Sequence, residues 1–420
     1  MTTLLTINNY FYLRGGSETI FFEHGRLLES LGWTLVPFSM KHPNNLPTPW
    51  SEYFIDELEM SGQYSAIGKL TRVSKVIYSF EARRQLDRLL DRVQPDLAHG
   101  HNIYHHLSPS ILGLLRSRGI PTFLTLHDLK LACPAYSMLT HDGVCERCRG
   151  GRLHNAVIHR CIGNSAAMSL VVTLEAALHK LLGSYRRCVD RFIVPSRFFL
   201  EKFAEWGLPR DKFRHVPNFV DVARYEPDFL PGKEFVYFGR VVRQKGLATL
   251  IRAVAQARVP LLVAGTGPDL EAMQELAQQL NADVRFLGHL NGPVLHATVR
   301  SARAVVLPSE SYENAPVSIL EAYALGKPVI GARIGGIPEL IRENETGLCF
   351  ESGNVESLCA ALRAIVSRPD SDLEAFGRRG RQWVEAAFTP EMYLQRILAV
   401  YREVGVRIAA SDVLAPASNT

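Results

Sequence analysis

Along the chain, short runs of aliphatic and β-branched residues alternate with longer stretches whose apolar positions repeat at helical spacing. This alternation predicts a parallel-sheet α/β protein rather than an all-α or all-β one. Residues 4–7 read as a first strand. After Ser17, the residues Ile20, Phe21, Leu27, Leu28 and Leu31 share one face of a helix that Gly32 ends. Residues 33–38, 96–99, 122–126 and 191–194 read as further strands, with a basic amphipathic helical stretch over 69–93 between two of them. The pattern then restarts. Strands are expected at 235–238, 260–264, 284–287, 304–307 and 328–330, with one helix ending near Arg258 and another over 269–280.

Two successive α/β units follow from this pattern, and 420 residues exceed what one hydrophobic core usually holds. The Pro- and Asp-bearing stretch 216–232 is the natural linker. The expected division is an N-terminal Rossmann-like unit at 1–217, a C-terminal one at 218–388 and a closing helix at 389–406 that packs back on the first unit. Thr389-Pro390 supplies the N-cap and first turn of that helix, and the small, polar tail at 409–420 is expected to be disordered. Composition changes little: 47% hydrophobic and 21% charged residues describe an ordinary globular protein. The net charge of +5 is dispersed, which argues against a nucleic-acid partner and suits anionic phosphates or an anionic lipid surface. The N-terminus has no basic leader followed by an apolar core, and no run approaches the roughly 18–20 apolar residues of a membrane span. A cytoplasmic protein is expected, with any membrane contact peripheral and at the inner face.

Candidate chemistry begins after the first strand, at Arg14-Gly15-Gly16-Ser17-Glu18. Gly15 and Gly16 let backbone approach a ligand closely, and the helix N-terminus that follows favours negative charge. The competing reading is a plain strand-to-helix turn. The spacing is not G-x-G-x-x-G and no ribose-binding acid follows the second strand, which counts against a dehydrogenase. In the second unit, Gly239-Arg240-Val241-Val242-Arg243-Gln244-Lys245-Gly246 sets a planar guanidinium and a compact ammonium in one Gly-bounded loop, a pairing suited to pyrophosphate. Gly265 and Gly267 in Ala264-Gly265-Thr266-Gly267-Pro268 form a second Gly-lined approach. The segment Ser309 to Ala322 places Glu313 before a helix and Glu321 inside it, eight positions on and roughly 12 Å further along the axis. Gly326-Lys327-Pro328 and Gly335-Gly336-Ile337-Pro338-Glu339 complete the run.

In this order and spacing the motifs resemble those of glycosyltransferase family 4, retaining nucleotide-sugar enzymes of the GT-B fold, over residues 1–390. His127-Asp128 and Pro217-Asn218-Phe219-Val220-Asp221 belong to the same match. The resemblance implies a fold of two Rossmann-like domains facing across a cleft. It implies that Arg240 and Lys245 neutralise the donor pyrophosphate and the departing diphosphate. By the same resemblance Glu313 holds the donor sugar, Glu321 binds ribose, and Asn218, Gly265 and Gly267 line the donor. Gly15 and Gly16 would close on the phosphates, and His127 would face the sugar from the first unit. The resemblance further implies a UDP- or GDP-linked hexose donor, no catalytic metal, and a glycan or polyprenol-linked acceptor in polysaccharide biosynthesis. Pro316 departs from the family pattern and removes one backbone donor near the sugar. Asp128 reads as a base or as a structural partner of its neighbours.

Seven cysteines, an odd number, speak against a disulfide framework. Cys133, Cys145, Cys148 and Cys161, spaced C-x(11)-C-x(2)-C-x(12)-C within an insert at about 128–165, have the ligand count of a structural zinc site. His141, His154 and His159 are alternative ligands. Buried thiols and a redox C-x-x-C pair are the competing readings, the latter disfavoured because no thioredoxin-like strand precedes it. His99-Gly100-His101-Asn102 ends a strand and either lines the cleft or is structural, while His105-His106 lacks the spacing of a zinc hydrolase. The stretch 69–93 covers the sheet, although Arg83, Arg84 and Arg88 would suit lipid phosphates. Two other functions fit the fold: a sugar-nucleotide 2-epimerase, which needs acid/base carboxylates in the cleft, and a non-catalytic nucleotide-sugar-binding subunit, which would have lost the Arg/Lys pair or Glu313.

Overall fold

The computed structural model describes residues 1–58, 66–140 and 143–408, so the tail at 409–420 and His141 lie outside the described residues. The N-terminal half carries β1 (Thr3–Ile7), β2 (Thr34–Phe38), β3 (Leu97–Gly100), β4 (Thr122–Thr125), a hairpin of β5 (Leu139–Thr140) and β6 (Gly143–Val144), then β7 (Arg191–Val194) and β8 (Phe213–His215). All but the hairpin join one six-stranded sheet in the order β2-β1-β3-β4-β7-β8, every pair parallel. The C-terminal half repeats the plan with β9 (Phe235–Phe238), β10 (Leu261–Ala264), β11 (Val284–Gly288), β12 (Ala304–Leu307), β13 (Val329–Ala332) and β14 (Gly347–Phe350). Its sheet is ordered β11-β10-β9-β12-β13-β14, again all parallel. These are two Rossmann-like α/β sheets of the GT-B type.

Parallel strands are buried on both faces, which explains the unbroken aliphatic runs: every residue of β3, β4, β10, β12 and β13 is buried. In such a sheet the loops at the carboxyl ends of the strands meet ligands where the strand order reverses. That point lies between β1 and β3 in the first sheet and between β9 and β12 in the second. The Gly15-Gly16 loop, the Arg240–Lys245 loop and the Glu313 loop all leave the sheets at these two places.

Two expectations need correction. The stretch 69–93 is not one helix but two, Ala66–Ile77 and Phe80–Arg92. Ser79 breaks it by turning extended and accepting from the amide of Ala82, the bond of an N-cap. The edge strands β8 and β14 went unanticipated, since runs of only three or four residues are too short to show a period. Among the described residues, no helix is long and apolar enough to cross a membrane.

The last helix, Pro390–Arg402, is capped by Thr389, whose side chain accepts from the amide of Met392. It follows the C-terminal unit in sequence yet packs on the N-terminal sheet, where Tyr393, Leu394, Ile397 and Tyr401 join Leu4, Leu97, Phe123 and Ile193 in one core cluster. A buried polar chain reinforces this seam. His24 Nδ1 lies 2.9 Å from the Tyr393 hydroxyl and His24 Nε2 lies 3.2 Å from that of Tyr401. The same Tyr401 hydroxyl is 2.5 Å from His99 Nδ1, whose Nε2 is 2.7 Å from Thr125 Oγ1. One proton ordering satisfies all four bonds with neutral rings: Tyr393 donates to His24, His24 to Tyr401, Tyr401 to His99, and His99 to Thr125. Burial enforces neutrality, holding His24 down to about 3 and His99 well below the usual histidine range, with the nearby His24 a second cause for His99. Tyr401→Phe keeps the packing but leaves two buried ring nitrogens without a partner. It is expected to lower unfolding free energy by about 1–3 kcal/mol in denaturant titrations, with the m-value unchanged.

Candidate functional site

The loop after β12 is held on all sides. Gly335 and Gly336 lie directly beneath it, for a Cβ on Gly335 would come within 2.5 Å of the Glu313 backbone and one on Gly336 within 1.8 Å of the Asn314 carbonyl oxygen. The amide of Gly336 donates to the Glu313 carbonyl at 2.8 Å. Asn218 donates from Nδ2 to the Ala315 carbonyl at 2.8 Å, so its amide nitrogen anchors this loop. Pro316 occupies the cap position of the helix Val317–Ala324, and Glu321 projects from within that helix. The Tyr225 hydroxyl donates to Glu321 Oε1 at 3.2 Å, and burial holds the Glu321 carboxyl above the ordinary range.

Glu313 is the point of convergence. Its Oε1 accepts from Lys245 Nζ at 2.6 Å and from Ser309 Oγ at 2.7 Å. The lysine arrives from the loop after β9, which is itself pinned: Asp269 accepts from the Arg243 amide at 2.6 Å, and the Glu310 amide donates to the Gln244 carbonyl. Arg240, in the same loop, is exposed and forms no ion pair among the described residues, while its carbonyl accepts from the Tyr237 hydroxyl at 2.6 Å. Gly265 and Gly267 answer an internal demand. A Cβ there would fall 1.9 Å from the Gly239 oxygen and 2.1 Å from the Val241 oxygen, so these glycines let the β10 loop lie against the Arg240 loop. The two N-terminal glycines differ, because a Cβ on Gly16 would meet nothing within 4 Å and one on Gly15 only Glu18, at 3.6 Å.

From the first unit, His127 follows β4 and its Nε2 lies 2.8 Å from His101 Nδ1. Burial lowers His127 to about 4, so it is neutral near pH 7. The ring nitrogens of His24, His99 and His101 fall within 4.8 Å of one another, the one group of three candidate metal ligands this close among the described residues. Both nitrogens of His24 and of His99 are already committed to hydroxyls and His101 Nδ1 lies against His127, which leaves the buried His101 Nε2 as the one ring nitrogen of the trio without a hydrogen-bond partner. His24 escaped notice in the sequence; its signal was a histidine in line with the buried Ile20 and Leu28 on the first helix.

The two units meet at Asn314. Its Nδ2 donates to the Leu126 carbonyl and its Oδ1 accepts from Ser196 Oγ, both at 2.8 Å. Nearby, Glu339 accepts the amides of Arg197 and Phe198 at 2.8 and 2.6 Å, capping the helix Arg197–Glu205 of the other unit. The cysteine insert joins the same seam. Glu146, between Cys145 and Cys148, accepts from the Tyr312 hydroxyl at 2.9 Å and from Lys202 Nζ at 2.8 Å. None of Asn314, Ser196 or Glu146 had been singled out, although two of them sit inside the motifs.

Cys133, Cys145, Cys148 and Cys161 line one cavity, together with His159 and Trp206. His154 lies elsewhere, exposed at the start of the short helix Asn155–Ile158. No disulfide links the thiols. Burial pushes Cys148 up to about 12 and raises Cys133 and Cys161, each further raised by neighbouring cysteines of the cluster. A redox pair needs a lowered thiol, whereas burial raises Cys148, the second cysteine of the C-x-x-C segment.

Comparison with known proteins came to the same region. A model described as Glycosyltransferase Family 4 matches residues 14–224, half of the chain, and one described as Glycosyl transferases group 1 matches 227–383. A GDP-mannose-dependent alpha-(1-6)-phosphatidylinositol monomannoside mannosyltransferase of Mycobacterium tuberculosis is 30% identical over 216 residues, 46% of this chain and 56% of that protein. The chain thus spans less than two thirds of the length of such curated relatives. Among solved structures, sucrose-phosphate synthase from Thermosynechococcus elongatus superposes with a TM-score of 0.71 at 20% identity, covering 96% of this chain and 99% of that one. HepE of Anabaena, in complex with UDP and glucose, superposes at 0.65 and 16% identity over 96% and 100%.

Asp128 provides a check on the site's electrostatics. Burial raises its carboxyl to about 6, opposed by the Lys130 amide that donates to Oδ1 at 2.9 Å. A raised carboxyl binds its proton more tightly in the folded state, so this group costs stability as pH rises from about 4 through 6. Asp128→Asn is therefore expected to raise the melting temperature at pH 8, by the equivalent of about 1–3 kcal/mol, and to leave it unchanged at pH 4.

Proposed function

The chain belongs to glycosyltransferase family 4, and from that premise we propose that it is a retaining glycosyltransferase moving a hexose from a nucleoside-diphosphate sugar to a glycan or lipid-linked acceptor. The observation that carries this reading is the contact between Lys245 and Glu313 at the strand-order reversal of the C-terminal sheet, with Arg240 in the same loop. A cation suited to phosphate and a carboxylate suited to sugar hydroxyls share one spot. A bound donor would divide the pair, with Lys245 turning to the diphosphate beside Arg240 and Glu313 accepting from the hexose. As the glycosidic bond breaks, negative charge gathers on the leaving diphosphate, and the two cations oppose it without reorganising. The acceptor hydroxyl attacks from the same face, and its proton passes to a departing phosphate oxygen.

In this reading Glu321 receives ribose hydroxyls, and Gly15 and Gly16 admit phosphate to the start of the helix Gly16–Ser30. His127 takes part as a neutral ring, donating or accepting one hydrogen bond at the sugar, while Asn218, Gly265 and Gly267 shape the donor loops. The name of the mycobacterial relative specifies GDP-mannose and a phosphatidylinositol mannoside, whereas HepE holds UDP and glucose. Both support a nucleotide sugar, UDP- or GDP-linked, and the first supports a lipid-linked acceptor; a role in surface-polysaccharide assembly at a membrane face belongs to the proposal alone. Neither the 2-epimerase nor the non-catalytic reading gains an observation, and the Arg240, Lys245 and Glu313 set speaks for transfer.

The insert is proposed to be stapled by a structural zinc ion on Cys133, Cys145, Cys148 and Cys161. The four thiols face one cavity, which fits the ligand count. No three of the four sulfurs all lie within 4.8 Å of one another, whereas Zn–S bonds of about 2.3 Å set sulfurs roughly 3.8 Å apart. Bound metal would lock the loop that carries Glu146 against Tyr312.

Assays with UDP-, GDP- and dTDP-sugars identify the donor, and loss of all turnover across that panel would sink the proposal. Lys245→Ala is expected to cut turnover at least tenfold, about 1.5–3 kcal/mol of leaving-group stabilisation, and equal activity would remove Lys245 from the mechanism. For the insert, elemental analysis of the purified chain is expected to find about one zinc per molecule; no metal, with all four thiols freely titratable, would refute the staple.

A further inference from the structure

The helix Ala166–Leu182 buries Glu175 and His179 beside Ser169, Val171 and Val172, whereas Leu170, Leu174 and Leu181 stand exposed at 46%, 47% and 80%. Ala167 and Ala177 continue the same stripe, so the solvent face of the helix is apolar along its length. Leu182 and, from the adjoining short helix, Ile158 extend the patch.

The inward polar groups explain how this helix is held without using its leucines. Glu175 pairs with Lys130 at 2.6 Å, the two side chains only 1% and 2% exposed. His179 bridges Ser184 Oγ and the Ile77 carbonyl, each at 2.8 Å. A helix anchored by a buried ion pair gains nothing in its own fold from five exposed leucine and isoleucine side chains.

The rim of the patch is cationic. Residues 147–188 hold seven Arg and Lys and a single acid, the buried Glu175, so this stretch alone outweighs the whole chain's net charge of +5. Lys180, Arg186 and Arg187 stand exposed at the C-terminal end of the helix, and Arg152 and Arg160 beside its N-terminal neighbour. Exposed leucines ringed by cations match an anionic bilayer, where apolar side chains enter the acyl boundary and cations meet headgroup phosphates. A second copy of the chain would have to bring two cationic rims together, which like charges oppose.

We propose that the exposed face of Ala166–Leu182 docks the protein on an anionic lipid surface. Its residues are other than Arg83, Arg84 and Arg88, the cations noted in the sequence. Through Glu175 and Lys130 the docking helix is fastened to the loop that carries His127, so a membrane-bound protein holds that loop at a set height above the bilayer.

The test is sedimentation of the full chain with vesicles of phosphatidylcholine alone or mixed with phosphatidylglycerol, and it requires no donor or acceptor. Binding is expected to the mixed vesicles only and to weaken as salt is raised. The exposed double variant Leu170→Glu/Leu174→Glu should lower the bound fraction about tenfold or more, with an unchanged melting curve. Arg186→Glu/Arg187→Glu should weaken binding to mixed vesicles in the same direction. Wild-type protein left in the supernatant, leucine variants that bind as wild type, or equal binding to both vesicle types would overturn the proposal. So would a concentration-dependent dimer in light scattering that the leucine variant abolishes while vesicles go unbound. Because donor turnover is read separately, failure here leaves the transferase reading standing, and the reverse also holds.

Discussion

The arrangement depends on where one loop is held. Ser309 to Pro316 leaves the C-terminal sheet at its strand-order reversal, and Asn314 within it bonds to Leu126 and Ser196 of the opposite unit. With that amide in place, the neighbouring Glu313 has a single station, against Lys245 and Ser309. The Gly335-Gly336 turn beneath it leaves no room for a Cβ, and Asn218 closes the remaining side. A carboxylate confined in this way loses little freedom when it meets a ligand, and this is the physical content of preorganisation.

The seam between the units is polar at this end and apolar at the other. Hydrogen bonds from Asn314, Glu339 and Tyr312 join the loops around the site, whereas Tyr393, Ile397 and Tyr401 of the last helix sink into the N-terminal core. Directional, partly exposed bonds are cheaper to break than buried apolar area, so any opening between the units is expected to hinge about the last helix. The cysteine insert lies on the polar side. Through Glu146 it reaches the residue next to Glu313, which couples the shape of an N-terminal loop to the donor carboxylate.

Several site residues proved to have reasons the sequence could not distinguish. Gly265 and Gly267 are glycine because the chain's own backbone lies against them, while Gly16 faces open space and is free to admit a ligand. Both kinds look the same in a sequence, since a missing side chain does not say what occupies its place. His99 and His101 ended a strand as expected, yet one is bound into the Tyr401 chain and the other touches His127. The continuous helix over 69–93 failed because Ser79 offered its backbone a local cap that the apolar period does not register.

What the sequence determined by itself was local and periodic. Aliphatic runs placed ten of the twelve strands of the two sheets within a residue or two, because burial on both faces demands unbroken apolar residues. The order of motifs pointed to Arg240, Lys245, Glu313 and Glu321 as one constellation. Only the tertiary structure decided what those residues touch: the Lys245–Glu313 pair joins positions 68 apart, the Asn314–Leu126 bond 188 and the His99–Tyr401 bond 302. Such contacts leave no period along the chain, since each depends on how two sheets and a returning helix come together. The outward leucines of Ala166–Leu182 belong to the same class. An apolar stripe in a sequence reads as core until the fold shows that the buried face is the one carrying Glu175 and His179.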